Sequence, residues 1–138
     1  MSENADFIHS LYAAFARGDI ATILAALAPD VDWVCEGPAS LPFCGTFRGR
    51  EQVSKFFQAL VTTQSDEDLK IDEMYEAGDQ VFTISRYTCV VNATGKKIDS
   101  RGCHLFTVKN GKVVRFLEIF DSASAVEAYR ASPAGAAA

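Results

Sequence analysis

"HLFTVKNGKVVRFLEIFD", His104 to Asp121, reads as a β-hairpin. Asn110-Gly111 stands between two apolar runs, and both residue types accept the positive φ that a tight two-residue turn requires. The second arm alternates strictly. Phe116, Glu118 and Phe120 share one face, while Leu117 and Ile119 share the other. Neither face is polar enough to meet water along its length, as one face of an ordinary antiparallel sheet does. Glu118 is the exception, a carboxylate between phenylalanines. A charge in such surroundings needs a partner or a task.

Outward from this hairpin, the second half of the chain is all strand. Runs at about 69–77, 80–92, 97–109 and 112–121 are separated by the turn sequences "AGDQ", "NATGKK" and "KNGK". The first half carries helical periods. Phe7, Ile8, Leu11, Tyr12 and Phe15 form one apolar stripe, closed by Gly18 in a left-handed cap. Asp19 is placed to cap a second helix with the stripe Ile20, Ile23, Leu24 and Leu27, stopped by Pro29-Asp30. "VDWVCEG" alternates as a short strand with Trp33 and Cys35 on one side. "GPASLPFCGTFRG" carries three glycines and two prolines and reads as a loop. A third helix begins near Arg50, with Val53, Phe56, Phe57, Leu60 and Val61 on its buried face. A short helix, "ASAVEAYR", follows the last strand, and Asp121 is placed to cap it. Helices first and hairpins afterwards predict an α+β domain over residues 1–130, with a disordered tail at 131–138. Three helices cannot cover both faces of such a sheet, so a homodimer through the second face is expected.

Composition narrows the functions. The chain has 138 residues and a net charge of −5. That balance argues against nucleic acid and against an anionic membrane surface, both of which select clustered positive charge. No apolar run approaches the roughly 20 residues of a membrane span. The polar, acidic "MSENADFIHS" does not read as a targeting signal, so the expected compartment is the cytoplasm. Cys35, Cys44, Cys89 and Cys103 show no CxxC spacing and are expected to stay reduced. With only His9 and His104 beside them, no metal site is expected, and no cofactor either.

Three segments together resemble the nuclear transport factor 2-like superfamily, and within it the SnoaL-like polyketide cyclase and ketosteroid isomerase group. "YAAFARGDIATILAALAPDVDW" is similar to the group's helix–Gly–Asp–helix–strand opening, "FRGREQVSKFF" to its third helix and "HLFTVKNGKVVRFLEIFD" to its final hairpin. The resemblance implies a cystatin-like cone, a curved antiparallel sheet wrapped around N-terminal helices, whose wide end opens on an apolar pocket for a small apolar molecule.

It also implies site residues. Glu118 falls where cyclases and limonene-epoxide hydrolases of the superfamily carry an inward Asp. His104 falls where the isomerases place an acid that hydrogen-bonds an oxyanion. Cys35 stands at the position of the isomerase general base, with Trp33 beside it. The isomerase tyrosine falls nearest Leu11, with Tyr12 adjacent. Arg86 matches the hydrolase arginine, while Thr88 stands where its acid would be.

The expected catalytic set is therefore Glu118 as base, Arg86 as its orienting partner and His104 as donor. Trp33, Cys35, Tyr12, Thr88, Phe116 and Phe120 are expected to line the pocket. Phe43 and Phe47 are expected as a lid or as anchors, and His9 as solvated. This implies cofactor-free isomerase, cyclase or hydrolase chemistry. The rival readings are a non-catalytic binding or accessory domain, in which Glu118–Arg86 is only a buried pair and His104 only structural, and an interaction module working through the sheet.

Overall fold

The protein, seen in a computed structural model, is described over residues 3–131. Four helices and six strands follow one another as α1 (Glu3–Ala16), α2 (Ile20–Ala25), β1 (Leu27–Cys35), β2 (Gly45–Arg48), α3 (Gly49–Thr63), β3 (Gln64–Ala77), β4 (Gln80–Val91), β5 (Lys97–Lys109), β6 (Lys112–Phe120) and α4 (Ser122–Tyr129). The strands form one sheet in the order β2-β1-β6-β5-β4-β3. Every neighbouring pair is antiparallel except β1 with β6, which run parallel. Register shifts in β3, in the β5–β6 hairpin and along β1 bend the sheet, as bulges do.

The local signals act as the sequence implies. Gly18 takes φ +74° and closes α1, and the Asp19 carboxylate accepts from the backbone N–H of Thr22 at 3.2 Å. Asn110 and Gly111 both hold positive φ in the β5–β6 turn. Asp121 accepts from the N–H of Ala123 and starts α4.

Three boundaries differ from the sequence reading. Leu27 continues the helical stripe in sequence yet opens β1, because β6 captures the chain there: Leu27 pairs with Val113, and the Val113 N–H donates to Ala26 O at 3.0 Å. β2 lies inside the Gly- and Pro-rich stretch and pairs with β1 at the sheet edge. β3 starts at Gln64 rather than Leu69. It is the opposite edge strand and mostly exposed, so its polar "SDED" carries no apolar alternation, and pairing to β4 defines it. The expected tail falls, apart from Ala131, outside the described residues.

All helices pack on the concave face. Ile8, Leu11 and Ala14 of α1, Phe56, Phe57 and Leu60 of α3, and Ala125 and Ala128 of α4 enter one core with Trp33, Phe106 and Phe116. The convex face of β4, β5 and β6 carries Ile84, Leu105 and Leu117, all partly buried, and Ile119, which is 51% exposed. Among the described residues no helix is long and apolar enough to cross a membrane.

One glycine fixes how closely two strands approach. A Cβ on Gly102 would lie 2.9 Å from the Phe120 Cβ and 3.0 Å from the Ile119 carbonyl oxygen. Gly102→Ala therefore forces β6 outward and is expected to lower unfolding stability by about 1–3 kcal/mol, measured by urea denaturation. A variant as stable as the wild type would mean that β6 has slack there.

Candidate functional site

Register places a row of inward side chains across four strands. Thr83 of β4 stands opposite His104 of β5, His104 opposite Glu118 of β6, and Glu118 opposite Cys35 of β1. The next row towards the β5–β6 turn is apolar: Val81, Phe106, Phe116 and Trp33. Gly102 and Phe120 pair on the other side. Glu118 therefore stands among phenylalanines along its strand but among polar groups across the sheet.

Tyr12 comes down on this row from α1. Its hydroxyl lies 2.7 Å from Thr83 Oγ1 and 2.7 Å from His104 Nδ1. On the other side of the ring, His104 Nε2 faces Glu118 Oε2 at 3.5 Å. A carboxylate beside Nε2 favours the tautomer with the proton there. Nδ1 then accepts from the Tyr12 hydroxyl, whose oxygen accepts from Thr83 O–H. The row reads as one directed chain, Thr83 to Tyr12 to His104 to Glu118. The last step is too long for a strong hydrogen bond, and the Cys35 thiol on the other side of the carboxylate is only a weak donor to it, so Glu118 keeps accepting capacity unspent. Phe116 packs against the imidazole at 5.1 Å between ring centroids and stacks on Trp33 at 3.9 Å.

Tyr12, His104, Glu118, Phe116 and Trp33 border a cavity of about 100 Å³, and Thr83 stands behind Tyr12, off its wall. Its walls are apolar, from Leu11, Phe15, Phe56, Phe57, Phe106 and others, with Tyr12, Ser85, Tyr87, Ser100, His104 and Glu118 as the polar exceptions. The Trp33 side chain also lines it, and its Nε1–H is buried with no hydrogen-bond partner among the described residues.

The expected site residues divide. Tyr12, Trp33, Phe43, His104, Phe116, Glu118 and Phe120 border the cavity. Arg86 does not, which corrects its expected role as partner of Glu118. It points from the convex face, half exposed, and holds Asp99 with two bonds of 2.8 and 2.6 Å. Strand alternation decides this: Ser85 and Tyr87 face in, so Arg86 and Thr88 face out. Thr88 therefore does not line the cavity either. Cys35 is 1% exposed but packs behind Glu118, against Cys44, instead of on the cavity wall. Phe47 packs on Phe56, outside the cavity, whereas Phe43 is buried against Phe120 and Tyr129 at its edge. His9 is exposed.

A family model described as a SnoaL-like domain matches residues 8–116. The chain belongs to the SnoaL-like domain family. Its relatives include an uncharacterised protein of Mycobacterium tuberculosis, Rv0034, which is 29% identical over 126 residues, covering 90% of this chain and 93% of that protein. An NTF2-like protein of unknown function from Burkholderia pseudomallei superposes with a TM-score of 0.86 at 29% identity, over 95% of this chain and all of that one. TerC, co-crystallised with polyporic acid, superposes with a TM-score of 0.84 at 29% identity, over 93% of this chain and 98% of its own.

Within this SnoaL-like domain, sequence reasoning missed Thr83, Ser85 and Ser100. Small hydroxyl residues on strands give no signal of their own, and only the inward alternation shared with His104 marks them. It also missed a second polar cluster. The Tyr87 hydroxyl reaches Gln64 Oε1 at 2.5 Å and Glu67 Oε2 at 3.0 Å. Gln64 Nε2 donates to the Tyr129 hydroxyl at 2.8 Å. Burial pushes the Glu67 carboxyl up, against the opposing pull of the Tyr87 hydrogen bond.

Both inward tyrosines stay protonated. Burial pushes the Tyr12 phenol far above its usual 10; the Thr83 hydrogen bond opposes this and the Glu118 charge adds to it. Burial, then the Glu67 charge, raises Tyr87 in the same way. Unfolded phenols ionise near 10 while these native ones do not. Their contribution to stability is therefore complete below pH 10 and is lost as pH rises beyond it. In alkaline titration followed by phenolate absorbance, Tyr12 and Tyr87 are expected to ionise only with unfolding. Tyr12→Phe removes one of the two late titrations. It also costs about 1–3 kcal/mol in denaturation, because Thr83 and His104 lose their partner. Free ionisation of all the tyrosines in the native fold would contradict the buried network.

Proposed function

We propose that the cavity binds a small, largely apolar molecule carrying an oxygen, and that Glu118 moves a proton on it while His104 steadies the negative charge that develops. The observation that carries this reading is the polar row in an apolar hollow: a carboxylate with unspent accepting capacity beside an imidazole whose Nε2–H tautomer that carboxylate favours and whose Nδ1 the Tyr12 hydroxyl occupies. Glu118 serves as general base, or activates a water. His104 Nε2–H donates to the oxygen of the ligand. Tyr12 and Thr83 are positioning residues, since they act through His104. The reading needs proton transfer only and no cofactor, which suits an isomerase, a cyclase or a hydrolase.

Size and polarity limit the ligand. A cavity of about 100 Å³ is of the order of the engineered apolar cavity of about 150 Å³ that accepts benzene. One ring fits. A larger molecule needs Phe43 and Phe120 to swing aside. The unpartnered Trp33 Nε1–H supports an acceptor oxygen on the ligand. TerC was crystallised with a ring compound, polyporic acid, in a closely similar fold, which is consistent with this choice.

Cyclohex-2-enone is a suitable probe, with one ring, one carbonyl and exchangeable hydrogens beside it. Wild-type protein in heavy water is expected to accelerate exchange at those carbons, followed by NMR, and Glu118→Gln to slow it by about 10²–10⁴-fold. Equal exchange rates with and without the carboxylate would remove Glu118 as base. Binding seen as a change in Trp33 fluorescence, with no exchange in either protein, would favour the non-catalytic binder. That second reading draws support from how fully Thr83, Tyr12 and His104 satisfy one another.

The same reading includes a homodimer through the convex face of β4–β6. Its support is the apolar set Ile84, Leu105, Leu117 and Ile119, on a face that no described helix covers. Sedimentation equilibrium is expected to give a dimer for wild type and a folded monomer for Ile119→Lys. A monomeric wild type at tens of micromolar would sink the dimer.

A further inference from the structure

Two thiols meet beside the polar row, and the chemistry above uses neither of them. β1 ends at Cys35, the chain loops out through residues 36–43, and it returns so that Gly45 pairs with Cys35. Cys44, one residue before that partner, is carried to within 3.9 Å, sulfur to sulfur, of Cys35. Gly37 clears the space. A Cβ there would lie 2.5 Å from the Cys44 sulfur, and Gly37 is not among the glycines of positive φ, so clearance and not backbone freedom calls for glycine. Cys35 is buried, whereas Cys44 is half-buried and open to small reagents. Among the described residues, Cys89 and Cys103 show no such sulfur neighbour.

We propose that Cys35 and Cys44 are a dithiol modification site, which a peroxide oxidises to a disulfide tying the end of β1 to the start of β2 behind Glu118. The assignment stands apart from the proposed function, because it concerns sulfur chemistry that needs no ligand in the cavity. Closing the bond takes the sulfurs from 3.9 Å to about 2.05 Å, a shift that the exposed residues 36–40 absorb.

The roles of the two sulfurs differ. The hydrogen bond from Cys35 holds the Cys44 thiol below its usual range, against burial and the charges of Glu118 and Glu36. That hydrogen bond, burial and the Glu118 carboxylate all push Cys35 up. Cys44 is therefore the attacking sulfur. Its thiolate attacks one peroxide oxygen, the O–O bond breaks, and the hydroxide released takes up a proton as water. The Cys35 sulfur then attacks the Cys44 sulfenic acid. The S–S bond forms, the S–O bond breaks, and the Cys35 proton leaves with the hydroxide as a second water. The sulfurs together lose two electrons and the peroxide gains them. A thiol reductant reverses the change.

The sequence makes the test clean. Trypsin leaves Cys35 and Cys44 on one peptide, 18–48, and Cys89 and Cys103 on two others, 87–96 and 102–109. Folded full-length protein is treated with hydrogen peroxide, alkylated with iodoacetamide, digested and weighed. Peptide 18–48 is expected to lose two hydrogens and resist alkylation while Cys89 and Cys103 are still alkylated. Cys44→Ser, at the more exposed position, is expected to abolish the loss. Cys35→Ser is expected to leave Cys44 as a sulfenic acid trapped by dimedone. A trivalent arsenical, phenylarsine oxide, is expected to bind one equivalent to wild type and none to either variant. Alkylation of both cysteines of 18–48 under peroxide that oxidises free glutathione in the same tube would overturn the proposal. So would oxidation of Cys89 or Cys103 before this pair, or a disulfide formed only between two chains.

Discussion

Burying a carboxylate and an imidazole among phenylalanines costs several kilocalories unless each group finds a partner, and in this chain the partner is assembled from four separate elements. Thr83, His104 and Glu118 come from three adjacent strands. Tyr12 comes from the first helix and closes the row at 2.7 Å to both Thr83 and His104. The docking of α1 is thus tied to the register of β4 and β5. A slip of either strand by one residue would turn His104 or Thr83 to the convex side and strand the Tyr12 hydroxyl in an apolar wall. Satisfying that hydroxyl adds directional weight to a core that aromatic packing alone would hold less specifically.

The aromatic row beside it does different work. Trp33 and Phe116 stack, and Phe56 and Phe57 lean on Trp33 at 5.5 and 5.6 Å. These rings are large and flat, and together with the bend of the sheet they leave a hollow that smaller branched side chains would have filled. The hollow borders the polar row at Tyr12, His104 and Glu118. Cavity and polar row are therefore a single feature: curvature opens the space, and register decides which side chains look into it.

The convex face follows another rule. Charged residues there pair across strands in the open, Arg86 with Asp99 and Arg101 with Asp72, at positions where solvent screens them and each pair contributes little. Beside them, further along the strands, lie the apolar side chains of β4–β6. The two faces of one strand thus carry separate tasks, and Arg86 belongs to the outer one although its neighbours Ser85 and Tyr87 border the cavity.

Much of this was legible in the residues themselves. The 3.6-residue stripes located α1 and α3, Asn110-Gly111 located the last hairpin, and alternation put Phe116, Glu118 and Phe120 on one face, because helix and strand periods are properties of local backbone geometry. Which partner Glu118 would meet was not legible. Arg86 carries the right charge, but facing is set by parity along β4. His104 meets Glu118 because β5 and β6 pair in one register, and Tyr12 meets His104 because α1 crosses the sheet at one place. The pairing of Cys35 with Cys44 likewise required the return of β2, a strand hidden in a glycine- and proline-rich stretch. The sequence by itself determined the elements and their faces, since these depend on neighbours a few residues away. Only the tertiary structure decided which polar groups touch, since those contacts join residues up to 92 positions apart through register and packing.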